Sequence, residues 1–156
     1  MLALAFLTAL TLHLLLFSYS PMIPVLTQEM RISYAEAGLV FSICILTIIL
    51  LRVPWGLLSD RLGSSATMKW AMVFIGIFSV LRGFAPSYYT LLACQMLLGV
   101  GFAALLPCLG KIVNTMFRDK AGVATGIYVS GFPIGELLGL GLASHLLLVM
   151  HTGWRM

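Results

Sequence analysis

Apolar residues in this chain fall in long runs rather than at the spacing of a half-buried helix or strand. Five stretches stand out, near Leu2 to Tyr19, Gly38 to Leu58, Thr67 to Phe84, Ser87 to Gly110 and Ala121 to Met150. A helix crossing a hydrocarbon core about 30 Å thick needs roughly 17 to 25 predominantly apolar residues. The short alternating segments of an outer-membrane barrel are absent. The pattern therefore predicts an all-α, polytopic helical membrane protein. Polar punctuation marks the run boundaries. The first run closes at Pro21 and Pro24, and no basic leader or small-residue cleavage site marks it as a signal peptide. Ser33-Tyr34-Ala35-Glu36 reads as a capping box ahead of the second run, with Ser and Glu satisfying first-turn amides. The fourth run starts just after Pro86, and the fifth is long enough to span with tilt.

Composition agrees with this reading. Of 156 residues, 61% are hydrophobic and 9% charged, with a mean hydropathy of +1.08. A soluble domain carries about 25% charged residues, so too little polar surface exists here to cover a water-soluble globule. The net charge of +4 does not imply nucleic acid, because the basic residues mostly occupy short loops, where they orient helices. With the amino terminus inside, Arg61, Lys69, Lys111, Arg118 and Lys120 face the cytoplasm, against Arg31, Arg82 and Arg155 outside. That is the direction of the positive-inside rule and suits a cell (inner or plasma) membrane. Arg82, near the external end of the third run, reads as an interface anchor. Cys44, Cys94 and Cys108 lie within apolar runs without ligand spacing, as reduced packing residues. No metal or cofactor is expected. Phosphate-binding Gly-Lys-Ser/Thr loops, His-Glu-x-x-His and Gly-x-Ser-x-Gly are lacking, so the chain does not read as an enzyme.

The segment between the second and third runs reads Gly56-Leu57-Leu58-Ser59-Asp60-Arg61-Leu62-Gly63. It resembles the signature loop of the major facilitator superfamily, Gly-x-Leu-x-Asp-Arg-x-Gly. Ser64 and Ser65 stand where that family usually has basic residues, with Lys69 further on. Pro21 to Gly38 resembles the family's first external loop. Gln95-Met96-Leu97-Leu98-Gly99-Val100-Gly101-Phe102-Ala103-Ala104 resembles its fourth-helix pattern, with Gln95 in place of an arginine tied in many members to proton coupling. Gly153-Trp154-Arg155 resembles the run-in to its sixth helix. The resemblance implies the amino-terminal bundle of a twelve-helix transporter, residues 1–156 forming about five of its helices. It implies gating contacts at Gly56, Asp60, Arg61 and Gly63, with the glycines letting helix ends approach closely. It also implies secondary transport of a small solute between two rocking halves. An odd helix count and the absence of a polar tail ahead of the first run suggest a truncated chain. The missing half, or a partner chain, would then be needed. The alternative is a non-transporting membrane protein or subunit.

Polar residues inside the runs are the candidate sites. Arg52 lies about four residues before Gly56, roughly 6 Å into the membrane at 1.5 Å per residue. An intramembrane arginine tends to face a cavity or a partner. It can bind an anionic substrate through its guanidinium, snorkel to the interface, or pair with Asp60. The anionic reading extends to organic and inorganic anions alike. Glu136, near the middle of the fifth run, forms a four-residue stripe with Tyr128 and Phe132. It reads as a proton- or ion-coupling group, as an ion-pair partner of Arg52 or of a helix beyond this chain, or as a protonated structural residue. Gln95 joins this substrate or coupling set on the family pattern. His13, in the first run, reads as a proton relay or as a satisfied polar residue. Gly131, Gly135 and Gly139 recur every four residues and predict close helix packing, with a kink expected at Pro133. Phe132 precedes Pro133 where the family's antiporter motif has glycine, so drug-proton antiport is not inferred.

Overall fold

The computed structural model describes residues 1–150. The expected resemblance at Gly153-Trp154-Arg155 lies outside the described residues. Those described form helices: α1 (Leu2–Phe17), a 3-10 turn (Ser20–Met22), α2 (Ile23–Glu29), α3 (Tyr34–Leu62), α4 (Ser64–Gly83), α5 (Tyr88–Ala103), α6 (Leu105–Met116), a second 3-10 turn (Arg118–Lys120) and α7 (Ala121–Met150). They assemble into five stretches long and apolar enough to cross a membrane: Leu2–Glu29, Tyr34–Leu62, Ser64–Gly83, Tyr88–Met116 and Arg118–Val149. Ile49, Val73, Val80, Leu137 and Leu148 are each more than half exposed. Such outward apolar faces suit lipid tails, where they lose nothing by lacking a protein neighbour.

Several boundaries differ from the sequence expectation, for identifiable reasons. The first span runs on to Glu29 instead of closing near Tyr19. Pro21 opens the 3-10 turn and Pro24 sits in the first turn of α2. First-turn amides have no helical acceptor, so proline costs nothing there. The second span begins at Tyr34, four residues before Gly38, because the capping box forms. The Ser33 amide donates to Glu36 Oε2 at 2.7 Å, and the Glu36 amide donates to Ser33 Oγ at 3.2 Å. This span also continues to Leu62, carrying the signature segment into helix. The fourth span extends to Met116 and breaks at Ala104 into α5 and α6. Pro107 explains the break: within one continuous helix it would lack an amide for the preceding turn and crowd that turn's carbonyl.

Span order in space is not span order in sequence. α1 lies along α7, and α3 lies along α5, which also packs on α4. Small residues make these approaches possible. A Cβ on Gly131 would come within 2.8 Å of the Phe6 carbonyl oxygen, and one on Gly139 within 2.6 Å of that of Leu14. Gly135 presses closest of the three, against the Leu10 carbonyl. Both helices thus present rows spaced by four. On α5, a Cβ at Gly99 would meet the Cys44 carbonyl at 2.7 Å, while one at Gly101 would meet Ile75 Cγ1 at the same distance. Two residues apart on a helix means opposite faces, so the pair seats α5 against α3 and α4 at once. Between these contacts three apolar clusters follow one another along α1. Ala5 and Ala9 join the first, Leu12 and Leu16 the second, and Tyr19 the third. Cys44, Cys94 and Cys108 are buried free thiols.

Candidate functional site

A cavity of about 190 Å³ opens among α1, α3, the α5–α6 pair and α7. Its wall is apolar except for His13 and Arg52, with Phe17, Phe132, Ile48 and Leu105 among the others. Arg52 is exposed on α3 and forms no ion pair or side-chain hydrogen bond among the described residues. Neither expected acidic partner pairs with it: Asp60 binds Lys111, and Glu136 forms no ion pair among the described residues. His13 stacks on Phe132, with ring centroids 4.3 Å apart and planes 24° from parallel. Its Nδ1 finds no hydrogen-bond partner.

The remaining candidates lie outside this cavity. Glu136 is half-buried on α7, one turn beyond Phe132, whose ring stacks on His13. Tyr128 is buried in the first apolar cluster, and its hydroxyl faces the Gly110 backbone. Gln95 is fully enclosed beside Arg82. His13 and Arg52 thus share one wall, while Glu136, Tyr128 and Gln95 do not join them on it.

The signature segment forms the end of α3 and the turn into α4. Lys111, within α6, donates from Nζ to the Gly56 carbonyl at 2.8 Å, to Ser59 Oγ at 2.8 Å and to Asp60 Oδ1 at 2.7 Å. All three ammonium donors are used. Ser59 Oγ also donates to the Gly56 carbonyl at 2.8 Å, so the latch is a closed polar knot. Lys111 had read only as a loop charge, and its partner could not be seen from spacing alone. Arg61 is exposed and pairs with nothing among the described residues. Gly63, at φ 86°, caps α3 and opens α4, a conformation glycine adopts without Cβ strain. Gly56 differs from the expectation of close approach. A Cβ there would lie 4.0 Å from Pro107 Cβ, which is ordinary contact. Its contribution is a carbonyl, which any residue would supply.

Arg82 corrects another expectation. Its guanidinium turns into the bundle instead of anchoring at the interface. Nη2 donates to the Leu15 carbonyl at 3.1 Å and to Ser18 Oγ at 3.2 Å, and Nη1 reaches Gln95 Oε1 at 3.5 Å. The sequence signal was available in Ser18, Ser79 and Gln95, polar residues within three separate apolar runs.

Five apolar spans among the described residues, a mostly apolar cavity with a histidine and an arginine on its wall, and a charged latch at one helix end define an integral membrane protein of the polytopic helical class. The chain belongs to the Major Facilitator Superfamily, whose family model matches residues 5–156. It is 31% identical over 143 residues to the probable 4-methylmuconolactone transporter of Cupriavidus pinatubonensis, covering 88% of this chain and 33% of that protein. It is 33% identical to the multidrug resistance protein MdtG of Yersinia enterocolitica, over 80% of this chain and 32% of that one. Identity to the probable nitrate transporter NarT of Staphylococcus epidermidis is 29%, over 72% and 29% respectively. The chain spans about a third of the length of these relatives.

Proposed function

We propose that this chain is the amino-terminal helix bundle of a secondary transporter that moves a small anion by alternating access. The observation that carries the anion is Arg52, an exposed cation on the wall of an otherwise apolar cavity, with no acidic partner among the described residues. Apolar walls with one fixed guanidinium favour a substrate with a single negative group and a modest hydrocarbon body, or a compact oxyanion. Two of the relatives above carry 4-methylmuconolactone and nitrate in their names, which supports this reading. The MdtG relative is why the fold alone does not select the substrate.

Alternating access needs an opposing bundle, supplied by further polypeptide or by a partner chain. The protein acts in a cell membrane with its amino terminus inside, as the loop charges favour. His13, stacked on Phe132 one turn before Glu136, and Glu136 itself are the groups through which a coupling proton or ion would act. Uptake of labelled nitrate and benzoate into cells expressing the whole transporter tests the anion site. Arg52→Gln is expected to cut uptake at least about tenfold while leaving membrane insertion intact, since a hydrogen bond to a charged group contributes about 1.5–3 kcal/mol. Unchanged uptake kinetics would overturn the anion reading.

A further inference from the structure

Arg82 has the hydrogen bonds of a bound guanidinium but lacks the charge of a partner. Its three acceptors, the Leu15 carbonyl, Ser18 Oγ and Gln95 Oε1, are all neutral. No carboxylate pairs with it among the described residues. Its titratable neighbours are the Tyr19 phenol and the Cys44 thiol, both uncharged at neutral pH. Cations in an apolar interior are ordinarily paired. Two more polar groups nearby are unfinished. Gln95, with no solvent exposure, has an Nε2 donor without an acceptor, and Ser79 Oγ has no partner. Ser79 and Arg82 line a cavity of about 130 Å³ with Tyr19, Met22, Leu26 and Leu91. At about 30 Å³ per water, that space holds a small ion and a few waters. What the cluster has in excess is donors and positive charge, so what fits is an acceptor with negative charge.

We propose that Arg82 and Ser79 form a binding site for a small monovalent anion, a halide or single oxyanion, separate from the Arg52 cavity. The two cavities lie at different levels of the first span: Leu12, His13, Leu16 and Phe17 of α1 line one, while Tyr19, past the end of α1, lines the other and Ser18 holds its arginine. The site is built by the end of α1, the 3-10 turn Ser20–Met22, α2, α4 and α5 and does not depend on the transport reading. A bound anion neutralises Arg82 and ties α4 to the α1–α2 span.

The test is thermal melting of the whole purified protein in a maltoside detergent free of phospholipid. Chloride or bromide replaces gluconate at constant ionic strength. A ligand that binds only the folded state raises the melting temperature as its concentration passes the dissociation constant. The expected result is a rise of several degrees in wild type, abolished in Arg82→Met, shifted to higher anion concentration in Ser79→Ala and retained in Arg52→Gln. Retention there separates this site from the anion cavity proposed above. No halide-dependent rise in wild type overturns the proposal, as does a rise that survives Arg82→Met or is lost in Arg52→Gln. Should Arg82→Met not yield folded protein, an unchanged midpoint in Ser79→Ala overturns it. Stabilisation by phosphatidylglycerol vesicles without any by chloride would assign the charge to a lipid headgroup, and also overturns it.

Discussion

The α1–α7 seam and the α3–α6 latch join helices by opposite means. The seam is backbone against backbone, with Gly131, Gly135 and Gly139 laid on the turns of Phe6, Leu10 and Leu14. Among the described residues no side-chain hydrogen bond crosses it, and its strength is close contact summed over three turns. The latch is a single ammonium group on two oxygens and a carboxylate. Lys111 and Asp60 side chains are 36% and 64% exposed, so water can replace each bond as it breaks. A seam of many small contacts fails only all together, whereas a latch of this kind opens by moving one side chain. The bundle therefore joins one pair of spans by backbone contact and another by a partly exposed ion pair, in the segment that resembles the superfamily's signature loop.

The largest effect is expected at the seam. Gly135→Leu places a side chain where the Leu10 carbonyl already sits, and backbone cannot step aside as a side chain can. Overpacking of this kind costs about 1–3 kcal/mol or more. Size-exclusion profiles of the whole protein should show most of it aggregated. A monodisperse peak at wild-type yield would mean that α1 and α7 are not held this closely. The latch should respond less. Lys111→Met removes three bonds that are partly open to water, and about 1 kcal/mol of stability is expected to go with them. High salt should mimic part of this in wild type and do nothing further in the variant, since the Debye length falls to about 3 Å at 1 M. Equal salt sensitivity in both proteins would remove Lys111 from the joint. Gly56→Ala should change least, by under about 1 kcal/mol and toward greater stability. Alanine is the better helix former, and the added methyl meets only Pro107 Cβ, at an ordinary contact distance of 4.0 Å. A strong loss of stability or transport there would show that another conformational state packs on Gly56.

Run length and caps made the five spans and the α3 start legible, because both are local properties. Spacing also displayed the four-residue glycine row on α7, but nothing in it named α1 as the opposing surface. Facing direction was the general obstacle. Arg82 and Arg52 look alike in sequence, each a lone cation near a span end, yet one bonds inward and the other lines a cavity with no partner. Lys111 was visible as a charge near the fourth span, but its reach to Gly56 and Asp60 joins residues more than fifty apart. The prolines misled in a different way. Pro21 and Pro24 look like a stop, and only their first-turn placement shows that the span absorbs them. Pro107 lies inside the fourth apolar run, and the structure divides that run at Ala104, just before it.

Gly63 has a consequence for how α3 and α4 lie. One residue separates the two helices, and the polar residues on either side of it are themselves helical, so no loop takes up slack between them. The angle between the two spans is then set by the backbone of a single glycine. A side chain at Gly63 that strains this positive φ is expected to swing one span against the other and to carry Asp60 away from Lys111.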